Sequence, residues 1–232
     1  TYNEWLKKID DELKPDKSFD IIKRPLKIGE RRAVLYFVDG FIKDEVYEKI
    51  LEFLYKQTAE DIAEINDMSR FAENKLPYVE TDAVYTAAEV VTAVLSGPSV
   101  LIIEGIHGAL TVDARTYPMR GVEEPQKDRS LRGPRDGFVE TLVMNTAMLR
   151  RRIRDSRLRM EYMQIGNETK LDISIAYIDG KADKRVLEIL RQRLRAIQAG
   201  GISMTQEALA AAIGKSKATL SKYENGTIAP LR

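Results

Sequence analysis

Short apolar runs that alternate with amphipathic helical patterns constrain the fold of this chain more than any other feature. Ala33–Val38 (AVLYFV) is rich in β-branched and aromatic residues, which predicts a buried strand. Lys43–Gln57 follows with apolar residues at helical spacing, which predicts a helix. Ser99–Glu104 and Ala109–Asp113 predict a hairpin around a glycine-containing turn. Together these patterns predict a mixed α/β unit in the first half of the chain.

Two further helices are predicted in this half. The first carries an apolar stripe from Trp5 to Leu13, and the proline that follows ends it. We expect Asp82 to cap the second helix, which runs to Leu95 and ends at a Ser-Gly-Pro sequence. The region Ala59–Lys75 is polar, and no helix or strand is predicted there.

The second half of the chain shows the same alternation of helix and strand patterns over fewer residues. Phe138–Ile153 has apolar residues at helical spacing, and Arg159–Ile165 predicts a strand. Lys170–Ile178 alternates apolar and polar residues, as a half-buried strand does. Asp183 is placed to cap a last amphipathic helix. Helix, two strands and helix predict a second, smaller α/β subdomain.

The predicted fold class is therefore α/β (α+β), with two small mixed subdomains, an Arg-rich linker between them and a helical tail. A length of 232 residues suits one to two domains. The predicted boundaries are 1–115 for the first subdomain, 116–134 for the linker, 135–198 for the second subdomain and 199–232 for the tail.

Composition excludes several classes of site. The chain has no cysteine, which excludes disulfides, thiolate zinc sites and a cysteine nucleophile. The single histidine, His107, leaves no His-rich metal site, and we interpret it as a turn side chain. Neither glycine-rich nucleotide motif occurs, and no catalytic constellation is recognisable. We therefore predict no catalytic residues, no cofactor, no metal and no enzymatic activity.

Two observations concern the ends of the chain and membranes. No run approaches the roughly 18–20 apolar residues that span a bilayer, and no signal peptide is recognisable. The chain begins at Thr1 rather than at a methionine, so we expect an excised fragment of a longer protein.

The segment Asp113–Glu161 is unusually dense in arginine, and two interpretations compete. Arg132, Arg135 and Asp136 lie just before a predicted helix N-terminus, where backbone N–H groups can hold an anion or a partner. The alternative is a structural ion-pair network of Arg135 and Arg150–Arg154 with neighbouring carboxylates. We favour the network because acidic residues are interleaved throughout the segment.

The carboxylates expected in that network are Glu140, Asp155 and either Glu123 or Glu124. The residues predicted to form the interaction or structural motif are Arg132, Arg135, Asp136, Glu140, Asn145, Arg150, Arg151, Arg152 and Arg154.

Ordered strings in this segment resemble the spore germinant-receptor A-subunit family. The similarity covers roughly residues 1–198, and it is specific because long strings match rather than spaced positions. The strings that carry it are Asp113–Arg115, Val122–Pro125, Leu131–Phe138 and Asn145–Arg154, with Tyr36–Phe41 and Pro77–Glu80 upstream.

The resemblance implies a soluble N-terminal part with two α/β subdomains, followed in the family by membrane-spanning segments that this chain lacks. It implies residence in the spore inner membrane, with this part on the cytoplasmic (core) side. The implied role is assembly or gating of an ion-conducting germination complex. The implied partners are other membrane subunits of that complex. A homo-oligomer is an open alternative, and nucleic acid is not expected to bind.

The tail resembles a different kind of protein: Ile202–Arg232 is similar to part of a Cro/CI-type helix-turn-helix. The chain lacks the remaining core helices of such a domain, so we do not expect the piece to fold alone. The alternative function is a transcription regulator with an α/β sensor; a third is an anion-binding enzyme domain using Arg132 and Arg135. Residues suited to DNA contact are Lys215, Lys217 and Lys222 for phosphates and Thr219 for base edges.

Overall fold

A computed structural model describes residues 1–78, 80–116, 138–166 and 170–199. They divide into two compact units: one holds the residues up to 116 with Val143–Met160, and the other holds 138–142 and those from Glu161 onward. The helices within these ranges are α1 Tyr2–Leu13, α2 Asp44–Tyr55, α3 Met68–Lys75, α4 Ala87–Ser96, α5 Leu142–Arg152 and α6 Lys184–Ala199. The strands are β1 Ile21–Ile28, β2 Arg31–Val38, β3 Thr81–Val84, β4 Ser99–Ile103, β5 Ala109–Val112, β6 Leu158–Ile165 and β7 Leu171–Ile178.

The first unit is built on an antiparallel sheet with strand order β1-β2-β4-β5-β3. Strand β4 is buried along its whole length because helices cover both faces of the sheet. The two-residue alternation of strands sends Leu35 and Leu101 to one face, where they pack with α2 and α3. It sends Tyr36 and Val100 to the other face, where they pack with α1 and α4. The predicted α/β (α+β) class is confirmed, with the antiparallel pairing of an α+β fold.

Helix α4 begins later than the sequence predicted. Asp82 lies in β3, which pairs with β5, and the helix begins at Ala87. Its N-cap is Thr86, whose side chain accepts a hydrogen bond from the backbone N–H of Glu89 while the Glu89 carboxylate accepts one from Thr86 N–H. This reciprocal capping box is a stronger start signal than a lone aspartate, so the predicted cap at Asp82 was wrong.

Three elements of the first unit were missing from the prediction: β1, α3 and β3, the last of which lies where the predicted helix was to begin. Strand β1 contains Pro25 and several charged residues, so its sequence does not show the pattern of a buried strand. It lies at the edge of the sheet, where a strand tolerates proline. Helix α3 lies in the polar region, where the Asp67 carboxylate accepts a hydrogen bond from Ser69 N–H at 2.9 Å. Its apolar residues Met68 and Phe71 are fully buried, so two side chains hold a short helix on the sheet.

The second unit consists, among its described residues, of the two-stranded sheet β6-β7 and helix α6. Ile165, Ile175 and Leu194 form its small core. The Asp183 carboxylate accepts a hydrogen bond from Arg185 N–H at 2.8 Å, at the predicted start of α6. None of the helices in the described ranges is both long enough and apolar enough to cross a membrane.

Helix α5 packs within the first unit. Ala147 belongs to the core of the first unit, and Val143–Met160 groups with it. A built Cβ on Gly40 would lie 3.0 Å from Ala147 Cβ, so the turn after β2 needs a glycine for α5 to approach. The predicted subdomain boundaries themselves stay predictions.

Candidate functional site

The buried face of α5 carries a charged side chain. Thr146, Ala147 and Arg150 are the buried residues of this helix, and Arg150 is only 1% exposed. Residues three and four positions apart share one face of a helix, so Arg150 follows Thr146 and Ala147 into the interior of the first unit. An arginine at such a depth needs a paired carboxylate.

Asp20, fully buried in the loop before β1, is that carboxylate. Arg150 Nε donates to Asp20 Oδ2 at 2.7 Å, and Arg150 Nη2 donates to Asp20 Oδ1 at 3.1 Å. Nη2 also donates to the Leu158 carbonyl at 3.1 Å, and Nη1 to the Asp155 carbonyl at 3.4 Å. The guanidinium therefore makes a bidentate, charge-assisted pair and satisfies two carbonyls besides.

Further hydrogen bonds, two of them made by the Ser18 side chain, join the loop before β1 to the start of β6 around this pair. Ser18 Oγ donates to the Leu158 carbonyl at 3.3 Å and accepts from Met160 N–H at 3.1 Å. Phe19 N–H donates to the Met160 carbonyl at 3.0 Å. Because these contacts surround the ion pair, they fix α5, the loop before β1 and the start of β6 as one joint, which we call the Arg150–Asp20 joint.

A groove of about 760 Å³ lies on the first unit between α2 and the β1–β2 end of the sheet. Phe37, Ile42 and Leu51 are half-buried in its wall, and Tyr55 at its rim is 53% exposed. Asp39 also lines it. Burial raises the pKa of the Asp39 carboxyl, and the carboxylates of Asp20 and Asp44 raise it further. The groove therefore combines apolar surface with negative charge.

Comparison with known protein families identifies the family of this chain. Residues 7–225 match the family described as Bacillus/Clostridium GerA spore germination protein. The chain belongs to this family. The predicted resemblance is confirmed, and the match includes most of the tail.

Two Bacillus subtilis (strain 168) relatives illustrate the similarity of this GerA-family chain. It is 38% identical over 195 residues to stage V sporulation protein AF, covering 82% of the chain and 38% of that protein. It is 30% identical over 189 residues to spore germination protein KA, covering 80% of the chain and 34% of that protein. The chain thus spans less than two fifths of either relative.

A solved structure shares the fold. The N-terminal domain of the A subunit of the Bacillus megaterium spore germinant receptor GerK3 matches with a TM-score of 0.62. The match covers 97% of this chain and 79% of that chain at 24% identity. At this level of identity the likeness concerns the fold alone.

The predicted residues of the GerA-family chain fall into four groups: buried, half-buried, exposed and outside the described ranges. Arg150 is in the buried joint and reaches the carbonyl, rather than the carboxylate, of Asp155. Asn145 is half-buried on α5, whereas Glu140 is exposed just before the helix. Exposed positions on or just after α5 hold Arg151, Arg152 and Arg154. The residues that lie outside the described ranges are Arg132, Arg135, Asp136, Glu123 and Glu124, and in the tail Lys215, Lys217, Thr219 and Lys222.

Sequence reasoning missed Asp20, the partner of Arg150. The two residues are 130 positions apart, and no local pattern distinguishes Asp20 from the other acidic residues of the first 20. Ser18 was missed for the same reason. A pairing of this kind is created by packing, and only the proximity of the segments in the folded unit reveals it.

His107 lies exposed in the turn between β4 and β5. Its ring centroid is 5.2 Å from that of Tyr85, whose hydroxyl donates to Asp67 Oδ1 at 3.1 Å. Among the described residues, no group of three or more histidines or carboxylates is arranged to hold a metal ion. The turn is thus held by a tilted ring pair and by two backbone hydrogen bonds, from His107 N–H to the Asn66 carbonyl at 2.8 Å and from Met68 N–H to the His107 carbonyl at 3.0 Å.

A second ion pair holds the small second unit together. Both Arg191 and the Tyr177 hydroxyl donate to the Glu161 carboxylate. Arg191, and next to it the hydroxyl, lower the pKa of Glu161 below its ordinary value of 4.5. Burial and Glu161 together raise the pKa of Tyr177 to about 12. The pair links β6, β7 and α6 across a core of few apolar side chains.

We expect Glu161→Gln to destabilise the chain at pH 7 and to have a smaller effect at pH 3. A folded-state pKa below the unfolded value means that Glu161 stabilises the fold above about pH 4.5, and that this contribution is lost as pH falls through the folded-state pKa. Urea unfolding followed by circular dichroism at the two pH values measures the difference. Glu45→Gln, at an exposed position of α2, is the control. Equal destabilisation at both pH values would contradict the expectation.

Proposed function

We propose that this chain is the module outside the bilayer of a spore inner-membrane germination protein, on the cytoplasmic (core) side. We propose that it acts in assembly or gating of an ion-conducting germination complex, through binding rather than catalysis. The observation that carries the proposal is the match of residues 7–225 to the GerA family. Its partners are then the other membrane subunits of the complex.

The Arg150–Asp20 joint supports a role in assembly. Thr116 N–H donates to the Phe41 carbonyl at 2.8 Å, and Gly40 packs against α5. The described residues on either side of the Arg-rich segment are therefore both held at the turn after β2. A partner that binds α5 would engage the first unit as a whole, because the buried pair holds α5 on that unit.

Arg151→Ala in the full-length protein is expected to reduce co-purification of partner membrane subunits several-fold. Arg151 is exposed on α5, next to the buried Arg150, so its loss changes the surface and leaves the joint intact. Subunit recovery after detergent extraction of spore membranes, and ion release during germination, measure the effect. Arg135→Ala is expected to act in the same direction.

The matched control is Arg70→Ala, which removes an exposed arginine from α3. It is expected to leave subunit recovery and ion release unchanged. If Arg151→Ala and Arg135→Ala both leave recovery and release at the unsubstituted level, the assembly role is wrong. The transcription-regulator alternative rests on the sequence likeness of the tail alone.

A further inference from the structure

Helix α2 presents two parallel rows of side chains to the groove. Its acidic row is Asp44, Glu48 and Glu52, and its apolar row is Tyr47, Leu51 and Tyr55; all six line the groove. Members of each row are four residues apart, so both rows follow one side of the helix for about 12 Å. A surface with a charged row beside an apolar row is the complement of an amphipathic helix with the opposite charge.

The described residues neutralise the acidic row only poorly. Carboxylates four positions apart on a helix repel each other. Lys56 pairs with Glu52 at 2.7 Å, but it is 68% exposed, so water screens the pair. Asp39 adds a fourth carboxylate, and the only cationic side chain among the described lining residues is Arg24. The groove therefore attracts cations along its length.

The apolar row is accessible at its Leu51 and Tyr55 end, whereas Tyr47 is buried and its hydroxyl donates to the Val112 carbonyl. Tyr55 is 53% exposed, and Leu51, Phe37 and Ile42 are half-buried in the wall. A single small cation would satisfy one carboxylate and leave this apolar surface in water. An anionic lipid surface would be repelled. A helix with an apolar stripe bordered by lysine or arginine contacts both rows at once.

We propose that the groove between α2 and the β1–β2 end of the sheet binds a basic amphipathic helix of a partner polypeptide. The apolar stripe of that helix packs on Leu51 and Tyr55, and its basic border meets Asp44 and Glu48. The proposal rests on the proposed function only in taking the partner to be another subunit of the complex. The chemistry of the groove itself is independent of it.

A labelled 16-residue peptide of leucine and lysine at helical spacing is the probe, and its leucine–glutamate counterpart is the negative control. Fluorescence anisotropy with the full chain is expected to show micromolar binding of the lysine peptide and none of the glutamate peptide. Glu48→Lys with Glu52→Gln is expected to weaken binding at least tenfold, and Tyr55→Ser at least threefold. All three positions are exposed, so circular dichroism should show an unchanged fold.

The matched control is Glu60→Lys with Glu64→Gln, which makes the same charge change at exposed positions away from the groove. It is expected to change the affinity less than twofold. An equal loss in the control, or no binding of the lysine peptide, overturns the proposal. A fall in the oligomeric mass of the unliganded protein when the groove is substituted also overturns the proposal. The occupant of the groove is then a second copy of the chain. Loss of peptide binding with normal subunit recovery overturns the groove's role in assembly but not the proposed function.

Discussion

Arg150→Met is expected to lower the free energy of unfolding of the first unit by about 3–5 kcal/mol, the usual cost of breaking a buried ion pair by removing one partner. The substitution leaves the fully buried Asp20 carboxylate without its bidentate donor. It also removes the donors to the carbonyls of Leu158 and Asp155. Urea unfolding followed by Trp5 fluorescence measures the loss, because this single tryptophan packs against the core of the first unit.

Arg70→Met is the control, since this arginine of α3 is exposed and surface substitutions usually change stability by less than about 0.5 kcal/mol. The double variant Arg150→Met with Asp20→Leu is expected to recover part of the loss, because two apolar side chains leave no unpaired charge. A single variant as stable as the unsubstituted chain, or a double variant whose cost equals the sum of the single costs, would show that the pair is uncoupled.

Gly29→Ala is expected to destabilise the first unit by about 2–5 kcal/mol. Gly29 forms the turn between β1 and β2 with a φ of 50°, and a left-handed backbone costs a residue with a side chain about 1–2 kcal/mol. A Cβ there would also lie 2.5 Å from Ile62 Cδ1 and 2.6 Å from the Thr58 carbonyl oxygen. Ile62 is fully buried, so relieving the overlap requires a shift that costs about 1–3 kcal/mol more. Urea unfolding followed by Trp5 fluorescence measures the loss of stability.

Gly105→Ala separates the cost of the left-handed backbone from the cost of steric overlap. Gly105 has a φ of 78°, and the nearest atom to its built Cβ is Arg31 Nη1 at 3.6 Å, an ordinary contact. This variant is therefore expected to lose only the backbone contribution of about 1–2 kcal/mol. If the two alanine variants are equally stable, steric overlap at Gly29 contributes nothing, and the close packing of the turn on Ile62 is not a constraint on the fold.

The Arg150–Asp20 joint and the groove have different roles in the proposed function. The joint is buried and holds α5 on the first unit, so its substitution acts through stability. The groove is open and acidic, so its substitution acts through partner affinity. Measuring stability and subunit recovery on the same variants separates these effects: Arg150→Met is expected to change both, whereas Glu48→Lys changes only recovery.

Local sequence patterns predicted elements well wherever periodicity or caps were strong. The alternation of Lys170–Ile178 and the apolar run Ala33–Val38 are strands, and the helix capped by Asp183 begins where expected. Predictions failed where local preference is weak. Pro25 disguises an edge strand, and α3 depends on the burial of Met68 and Phe71 rather than on its own periodicity.

The sequence by itself determined the family, through ordered strings such as Leu131–Phe138, and the α+β class, through short-range periodicity that every residue of an element shares. Only the tertiary structure decided that Arg150 meets Asp20, and that the two rows of α2 border a groove. The reason is physical, because periodicity indicates only which residues of one helix or strand share a face. A buried ion pair between residues 130 positions apart forms only because packing of separate elements excludes water from both charges at one place.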